Sequence, residues 1–493
     1  MTGFRAPADA GSSRRDFMVN GFSSIALLCT IAAPDVLRPR KATVTSAAIR
    51  SQAKSPFAPF QRDLPRIPEL VPNISTRTRD TYAMTVREGL AEVLPGFQTP
   101  IYGYDGVYPG PLIRAKKGRE VVVRQTNALP FDTNVHLHGG YVPAAHDGHP
   151  MDVIAAGGSF DYHYPNEQDA ATLWYHDHAH GRTSKTLYYG LVSMYLLEDE
   201  LETELGLPQG EFDVPLVLAD HAFNKDGSFR YAENVDIGFR GDTLLVNGAI
   251  SPRMAVQRRR YRLRFLNASN ARSYALRLGN ARAMVQIAGD GGLLSRPVPR
   301  TNIPLHPAER VEVVIDFSQY GPGEELTLYN VDTEAGGGTT PIMRFDIQGG
   351  KASEDFRVPT RLRDPEPLPA PTVRRRWDLA LGSAAWQING LSWDPNRIDV
   401  RPRLGSTEVW TFVNNSGRVH PMHLHGFLFR VLERTSGPVE LADRLGWKDT
   451  VGVLPNETVT VLAWFAPYKG KYVFHCHALE HADKAMMLQM EIV

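Results

Sequence analysis

Hydrophobic and polar residues alternate along much of this chain, in short runs separated by Gly, Pro, Asn and Asp. EVVVRQTN (Glu120–Asn127), YRLRFLNAS (Tyr261–Ser269), RVEVVIDFS (Arg310–Ser318), EVWTFVNN (Glu408–Asn415) and TVTVLAWFA (Thr458–Ala466) are of this kind. A period of two places successive side chains on opposite faces of a strand. Many such runs between turn residues predict an all-β chain built from sandwiches. The one helical stretch expected lies around Leu201–Leu207, and the proline-rich DPEPLPAPTV (Asp364–Val373) interrupts the pattern later. Both read as boundaries, so three β domains are expected over 55–200, 201–362 and 363–493. A chain of 493 residues is too long for a single core, which fits that division.

Composition changes this picture little. Hydrophobic residues are 42%, charged residues 22% and the formal net charge is zero, so nothing points to nucleic acid as a partner. The basic run RRRYRLR (Arg258–Arg264) is expected to form the charged outer face of a strand, with Tyr261, Leu263 and Phe265 turned inward.

The N-terminus adds a destination. Arg14 and Arg15 are paired, Phe17 follows, and a modest apolar run extends from Phe22 to Ala33. This order predicts a twin-arginine export signal within residues 1–41, with cleavage near Ala32–Ala33 and 42–54 as a loose lead-in. The apolar run is too short for a spanning helix, so no membrane attachment is expected after export. A periplasmic or secreted location follows, and export of an already folded chain suits a metalloprotein. Removal of the signal would take Cys29 with it and leave Cys476 alone. A lone thiol is a liability in an oxidising compartment. A metal ion would bind it as thiolate and protect it.

The histidines supply the chemistry. They gather in HLHG (His136, His138), WYHDH (His176, His178), HPMHLH (His420, His423, His425) and HCHALEH (His475, His477, His481, around Cys476). Sixteen histidines would give about half an H-x-H pair at random, whereas the chain has five. Alone, HCH would also suit zinc. In a strand, His475 and His477 point one way and Cys476 the other; His423 and His425 likewise share a face that His420 does not. Two metal sites joined by one strand are therefore expected. The first has Cys476, His420 and His481 with a distant thioether from Met486, Met487 being sent elsewhere by parity. Two His and one Cys with a weak axial Met describes a blue-copper electron-transfer centre. The second has eight imidazoles, too many for one ion and suited to three coppers taking two, three and three ligands. Cys476 then gives a short bonded route between the two. His180, followed by Gly181, is not expected to bind metal, and His146, His149, His163, His221 and His306 are expected to be surface or core residues.

These four clusters, together with YPGPLIRAKKG, HLHGGYVPAAHDGHP, GWKDTV and YVFHCHALEH, resemble the multicopper oxidases, closest to the bacterial laccase group and bilirubin oxidase. The resemblance spans essentially the whole chain after the signal. It implies three consecutive cupredoxin-like Greek-key β-sandwich domains and four copper ions, the type 1 copper in the third domain and the other three between the first and third. His420, Cys476, His481 and axial Met486 would bind type 1 copper, and His136 and His423 type 2. His138, His176, His178, His425, His475 and His477 would bind the type 3 pair. Asp147 matches an acidic residue that assists proton delivery. Relatives often carry His-Glu-Asp where this chain has His481-Ala482-Asp483; the missing carboxylate implies slower or more pH-sensitive oxygen reduction unless Asp483 or Asp147 compensates.

The activity so implied is laccase-like. A small-molecule reductant, a phenol or aromatic amine, loses single electrons at type 1 copper through the exposed edge of His481 or His420. O2 is reduced to water at the cluster. A Met axial ligand favours a lower potential than an apolar residue would give. Loops around the type 1 site, such as Thr435–Trp447, would select the substrate, and a monomer suffices. Alternatives are bilirubin-type oxidation and metallo-oxidation of Cu(I), Fe(II) or Mn(II); the 12 methionines form no Met-rich segment of the copper-efflux kind. A non-catalytic envelope protein is opposed by the full ligand set.

Overall fold

The computed structural model describes residues 57–493 apart from 235, 332–338, 351–355 and 384. The expected export signal and lead-in lie outside the described residues. Strands dominate, as the alternation predicts, and they form six sheets that pair face to face in chain order.

In the first pair, the sheet holding Arg79–Ala91, Glu120–Asn127 and Ser159–Tyr164 faces the sheet holding Ile113–Lys116, Val192–Glu198, Ala171–His176 and His136–His138. Val121, Val123 and Tyr162 of one sheet meet Leu137, Leu173 and Tyr175 of the other in a common core. The middle pair packs Leu263, Phe265 and Val313 against Leu276, Leu328 and Phe345. The last pair packs Trp377, Trp410 and Phe412 against Met422, Leu424, Phe474 and Leu488. Each fully buried apolar side chain contributes about 1.5–3 kcal/mol. All three sandwiches repeat one device, a parallel pair of strands: Arg79–Ala91 with Glu120–Asn127, Asp213–His221 with Arg260–Asn267, and Val373–Leu381 with Thr407–Asn414.

Helices are short. Glu200–Glu204 overlaps the first part of the expected helical stretch and is capped by Asp199, whose side chain accepts from Glu202 N at 3.2 Å. Among the described residues no helix is long and apolar enough to cross a membrane.

The basic run departs from expectation. The strand Arg260–Asn267 does turn Tyr261, Leu263 and Phe265 into the sandwich core, but its other face is not solvated. Arg262 and Arg264 are 2% and 1% exposed. Arg264 Nε donates to Asp213 Oδ1 at 2.6 Å, and Arg262 Nε donates to Glu312 Oε2 at 2.7 Å. Glu202, on the helix Glu200–Glu204, and Thr172, on a strand of the first sandwich, close over them. This strand lies in the interior of a seven-stranded sheet, and neighbouring elements cover its polar side as well. Alternation identified the two faces but not what lay above the second.

Candidate metal centre

The strands His420–Leu424 and Gly470–Cys476 run antiparallel with His423 opposite His475 and Met422 opposite Cys476. Directly opposed residues share a face. Cys476 therefore sits on the core side with Met422, Leu424 and Phe474. His423 and His475 sit on the other side. In the first sandwich, His136–His138 pairs with Ala171–His176 so that His136 lies opposite His176 and His138 opposite Trp174. Leu137 and Tyr175, between them, point back into the core.

On the core side of the last sandwich, Cys476 Sγ lies 3.5 Å from Nδ1 of both His420 and His481. The far nitrogens are held: His420 Nε2 is 3.1 Å from Ser416 Oγ, and His481 Nε2–H donates to the Asp236 carbonyl at 3.3 Å. Met486 is fully buried and attached through its backbone, its carbonyl accepting from Cys476 N at 3.1 Å and its N–H donating to His481 O at 2.9 Å. Met487 starts the next strand, opposite His475.

On the opposite side eight buried imidazoles converge from the first and last sandwiches. His136 and His423 bring their Nε2 atoms 3.5 Å apart. His475 Nε2 lies 3.1 Å from Nε2 of both His178 and His425. His138 Nδ1, His176 Nε2 and both nitrogens of His477 are buried with no hydrogen-bond partner among the described residues. The rings of these three lie together, His477 being 5.1 Å from His138 and 5.5 Å from His176 between centroids. The eight thus divide into two, three and three.

Outward nitrogens are fixed by oxygen acceptors, which sets each ring's tautomer. His136 Nδ1–H donates to the Asp147 carbonyl at 2.6 Å, His176 Nδ1–H to the Asp177 carbonyl at 2.9 Å, and His423 Nδ1–H to the Asp449 carbonyl at 2.9 Å. His425 Nδ1–H donates to Asp147 Oδ2 at 2.8 Å, and His475 Nδ1–H to the Cys476 carbonyl at 3.0 Å.

Burial keeps all these rings neutral. It lowers His176 and His475 to about 3 and His423 and His481 to about 4, and pushes the remaining six well below the usual range. Burial also raises the Cys476 thiol to about 12. A neutral imidazole lone pair is what a metal needs, and a buried thiol ionises when a cation sits beside it. Nitrogens 3.1–3.5 Å apart suit metal–imidazole bonds of about 2 Å. Imidazole and thiolate donors suit copper, so the residues present fit it.

Asp147 is fully buried; burial pushes its carboxyl well above the usual range, and Oδ1 has no hydrogen-bond partner among the described residues. Ala482 is buried on the helix Leu479–Asp483. The Asp483 carboxylate is occupied elsewhere: it accepts from Thr183 N at 3.1 Å, Ser184 N at 2.8 Å and Ser184 Oγ at 2.6 Å.

One expectation about the donor side is corrected. Neither His420 nor His481 offers an exposed edge; they are 0% and 1% exposed. The Asp236 carbonyl caps His481, and Trp386 packs 4.7 Å from His420 and 5.3 Å from His481 between ring centroids. Much of the stretch Thr435–Trp447, expected around this site, lines a cavity of about 400 Å³ beside Arg310 and Lys448. His180 is exposed and outside the cluster, while His221 and His149 are buried away from it.

Sequence reasoning missed Asp236, Trp386, Arg310, Asp449 and Thr450. Asp449 had a visible signal, a Lys-Asp pair immediately before the apolar strand Thr450–Val453. Its carboxylate accepts from His138 Nε2–H at 3.0 Å and pairs with Arg310. Burial raises Asp449, but the Arg310 guanidinium overrides that and holds the carboxyl below its usual range.

Family models described as multicopper oxidase match residues 85–201, 191–325 and 366–493. A laccase of Bacillus subtilis (strain 168) is 35% identical, over 88% of this chain and 98% of its own length. A bilirubin oxidase of Albifimbria verrucaria is 37% identical, over 82% of this chain and 75% of its own. The crystal structure of a laccase from Pediococcus acidilactici superposes with a TM-score of 0.83 at 32% identity, covering 89% of this chain and 95% of that one.

Proposed function

The chain belongs to the multicopper oxidase family, and we propose that it is a laccase-like oxidase holding four copper ions on the two sides of the Cys476 strand. One observation carries this reading: Cys476 Sγ lies within 3.5 Å of two imidazole Nδ1 atoms, while the carbonyl of the same residue orients His475 toward the opposite cluster. His420, Cys476, His481 and Met486 would hold type 1 copper, and His136 and His423 type 2. His138, His176 and His477 would hold one ion of the type 3 pair, and His178, His425 and His475 the other.

Bound copper supplies one-electron acceptance at the sulfur site and four-electron reduction of O2 to water at the imidazole cluster. The protein arranges the rest. Buried Trp386 and the Asp236 carbonyl exclude water from the sulfur site, and an organic reductant docks on the surface beyond them, where the Asp236 and Arg418 side chains are exposed. Arg418 pairs with the Asp236 carboxylate there at 2.6 Å and sets the local charge. The Cys476 backbone links the two sites covalently. Asp147 holds a proton beside His425, ready for the oxygen being reduced.

Phenols and aromatic amines are the proposed reductants, and the chain is proposed to act as a monomer after twin-arginine export, a destination supported by Arg14, Arg15 and the apolar run after them. The deciding experiment is copper quantification and a visible spectrum of the purified protein, then oxidation of a phenol, an aromatic amine, bilirubin, Cu(I) and Fe(II) under oxygen. Four coppers per chain, an intense blue band and turnover of the organic donors are expected. A copper-loaded protein without the blue band would overturn the reading.

A further inference from the structure

The middle sandwich contributes none of the twelve proposed ligands, yet one of its side chains reaches the imidazole cluster. Arg310, at the start of the strand Arg310–Asp316, is fully buried. A guanidinium has five N–H donors, and here all five are used. Nε donates to Thr172 O at 3.0 Å; Nη1 donates to Ala308 O at 3.0 Å and Asp449 Oδ1 at 2.8 Å; Nη2 donates to Asp290 O at 3.0 Å and Asp449 Oδ2 at 2.5 Å. These acceptors come from all three sandwiches. The Asp449 carboxylate is gripped on both oxygens, a geometry with little rotational freedom.

Asp449 passes that constraint to His138. Oδ1 accepts from His138 Nε2–H at 3.0 Å and from Thr450 Oγ1–H at 2.8 Å, and Thr450 Oγ1 is itself 3.2 Å from the same His138 nitrogen. With its proton held on Nε2, His138 turns a bare Nδ1 into the cluster, and that atom is one of the buried nitrogens without a partner. His138 is thereby reversed relative to His136, His176, His423, His425 and His475, whose Nδ1 atoms face outward to oxygen. Gly139 makes room for the arrangement. Its φ is +82°, and a Cβ there would lie 2.5 Å from Arg310 Nη2 and 2.7 Å from Asp449 Oδ2.

We infer that Arg310 and Asp449 are a positioning pair through which the ligand-free middle sandwich fixes the tautomer and orientation of His138, and so the copper site formed by His138, His176 and His477. The inference rests on the proposed function, since it assigns Nδ1 of His138 to copper. A ligating imidazole whose outer partner is lost typically binds metal about 10–100-fold more weakly.

The test uses Asp449→Asn, which keeps the volume but loses the charge and replaces one of the two accepting oxygens with an NH2 that faces either Arg310 or His138, and Arg310→Lys, which keeps the charge but offers three donors in place of five. Each purified full chain is stripped, titrated with Cu(II), and read for copper per chain, the type 3 near-ultraviolet band, the type 2 electron paramagnetic resonance signal and the blue band. Nitrogen-15 NMR of the copper-free chains reports the His138 tautomer. In Asp449→Asn a roughly 10–100-fold rise in the copper concentration needed for the type 3 band is expected, with the blue band unchanged and the His138 tautomer mixed. Arg310→Lys should fall between that variant and the parent, and it carries the test if Asp449→Asn does not fold. A type 3 band at the parent's copper concentration, or blue and type 3 bands lost in equal proportion, overturns the inference. A parent chain that takes up no copper fails the functional reading instead, whatever the His138 tautomer proves to be.

Discussion

The carbonyl oxygen of Cys476 accepts the Nδ1–H of His475 at 3.0 Å. A single residue thus directs its sulfur to one site and, through its backbone, aims a ligand of the other. The two functions are chemically separable. Cys476→Ser removes the sulfur and leaves the carbonyl. We expect the blue band to vanish while three coppers per chain remain, read by metal analysis beside the spectrum. Loss of all four would mean that the sulfur holds both sites together.

The copper-free chain should be sensitive to acid. Unfolded histidine titrates near 6.5, whereas burial places His176, His475, His423 and His481 at about 3 to 4. A lowered folded pKa gives stability that is complete above the unfolded value and is lost as pH falls toward the folded one. Each such imidazole costs about 1.4 kcal/mol per pH unit across that window. Melting temperature measured from neutral pH down to about 4 should fall steadily in the stripped protein and later in the copper-loaded one. A flat profile for the stripped chain would contradict the neutral-cluster description.

Asp147→Asn keeps the contact with His425 but removes the proton that burial retains on the carboxyl. Reoxidation of the reduced enzyme by oxygen should slow by about 10²–10⁴-fold, while anaerobic bleaching by a phenol keeps its rate. The parent's reoxidation should decline as pH rises and Asp147 loses its proton; the variant's should not. Stopped-flow traces with and without oxygen separate the two half-reactions.

Arg418 and Asp236 are 43% and 60% exposed, so their pair contributes at most about 1 kcal/mol to stability. Its charge nevertheless lies beside the cap on His481. Arg418→Glu should leave the melting temperature nearly unchanged. It should raise KM for an anionic aromatic donor and lower it for a cationic one, each by roughly tenfold at low salt. Equal KM changes for both donors would place docking elsewhere.

Arg264→Met takes from buried Asp213 the guanidinium that grips both its oxygens, and leaves Glu312 with Arg262 alone. Breaking a buried pair from one side costs about 3–5 kcal/mol. Denaturant unfolding should show that loss, with copper content and blue band intact in the folded fraction.

Parity along strands made the sulfur and imidazole sides readable from four short motifs, because period two is a property of the backbone itself. Tertiary contacts were not readable in this way. The spacing of Arg262 and Arg264 showed that they share a face, but Glu202 and Thr172, which cover that face, are distant in sequence. The cap on His481 is a backbone carbonyl, and any residue at position 236 supplies one. Arg310 lies in a run that reads as an ordinary strand, and its importance follows from five acceptors distributed over three sandwiches. Local pattern reports what an element is; only its neighbours report what it meets.

The donors for both metal sets lie in two stretches, 136–178 and 420–486, with the whole middle sandwich between them. Synthesis must therefore run past Met486 before the sulfur site is whole, and past His477 before the last imidazole joins its group. A nascent chain paused after the first sandwich would display four histidines with half a pocket, able to capture stray ions in the wrong coordination. Metallation is thus tied to the closing stages of biogenesis, and a ribosome stalled short of that point leaves a chain that can chelate but not turn over.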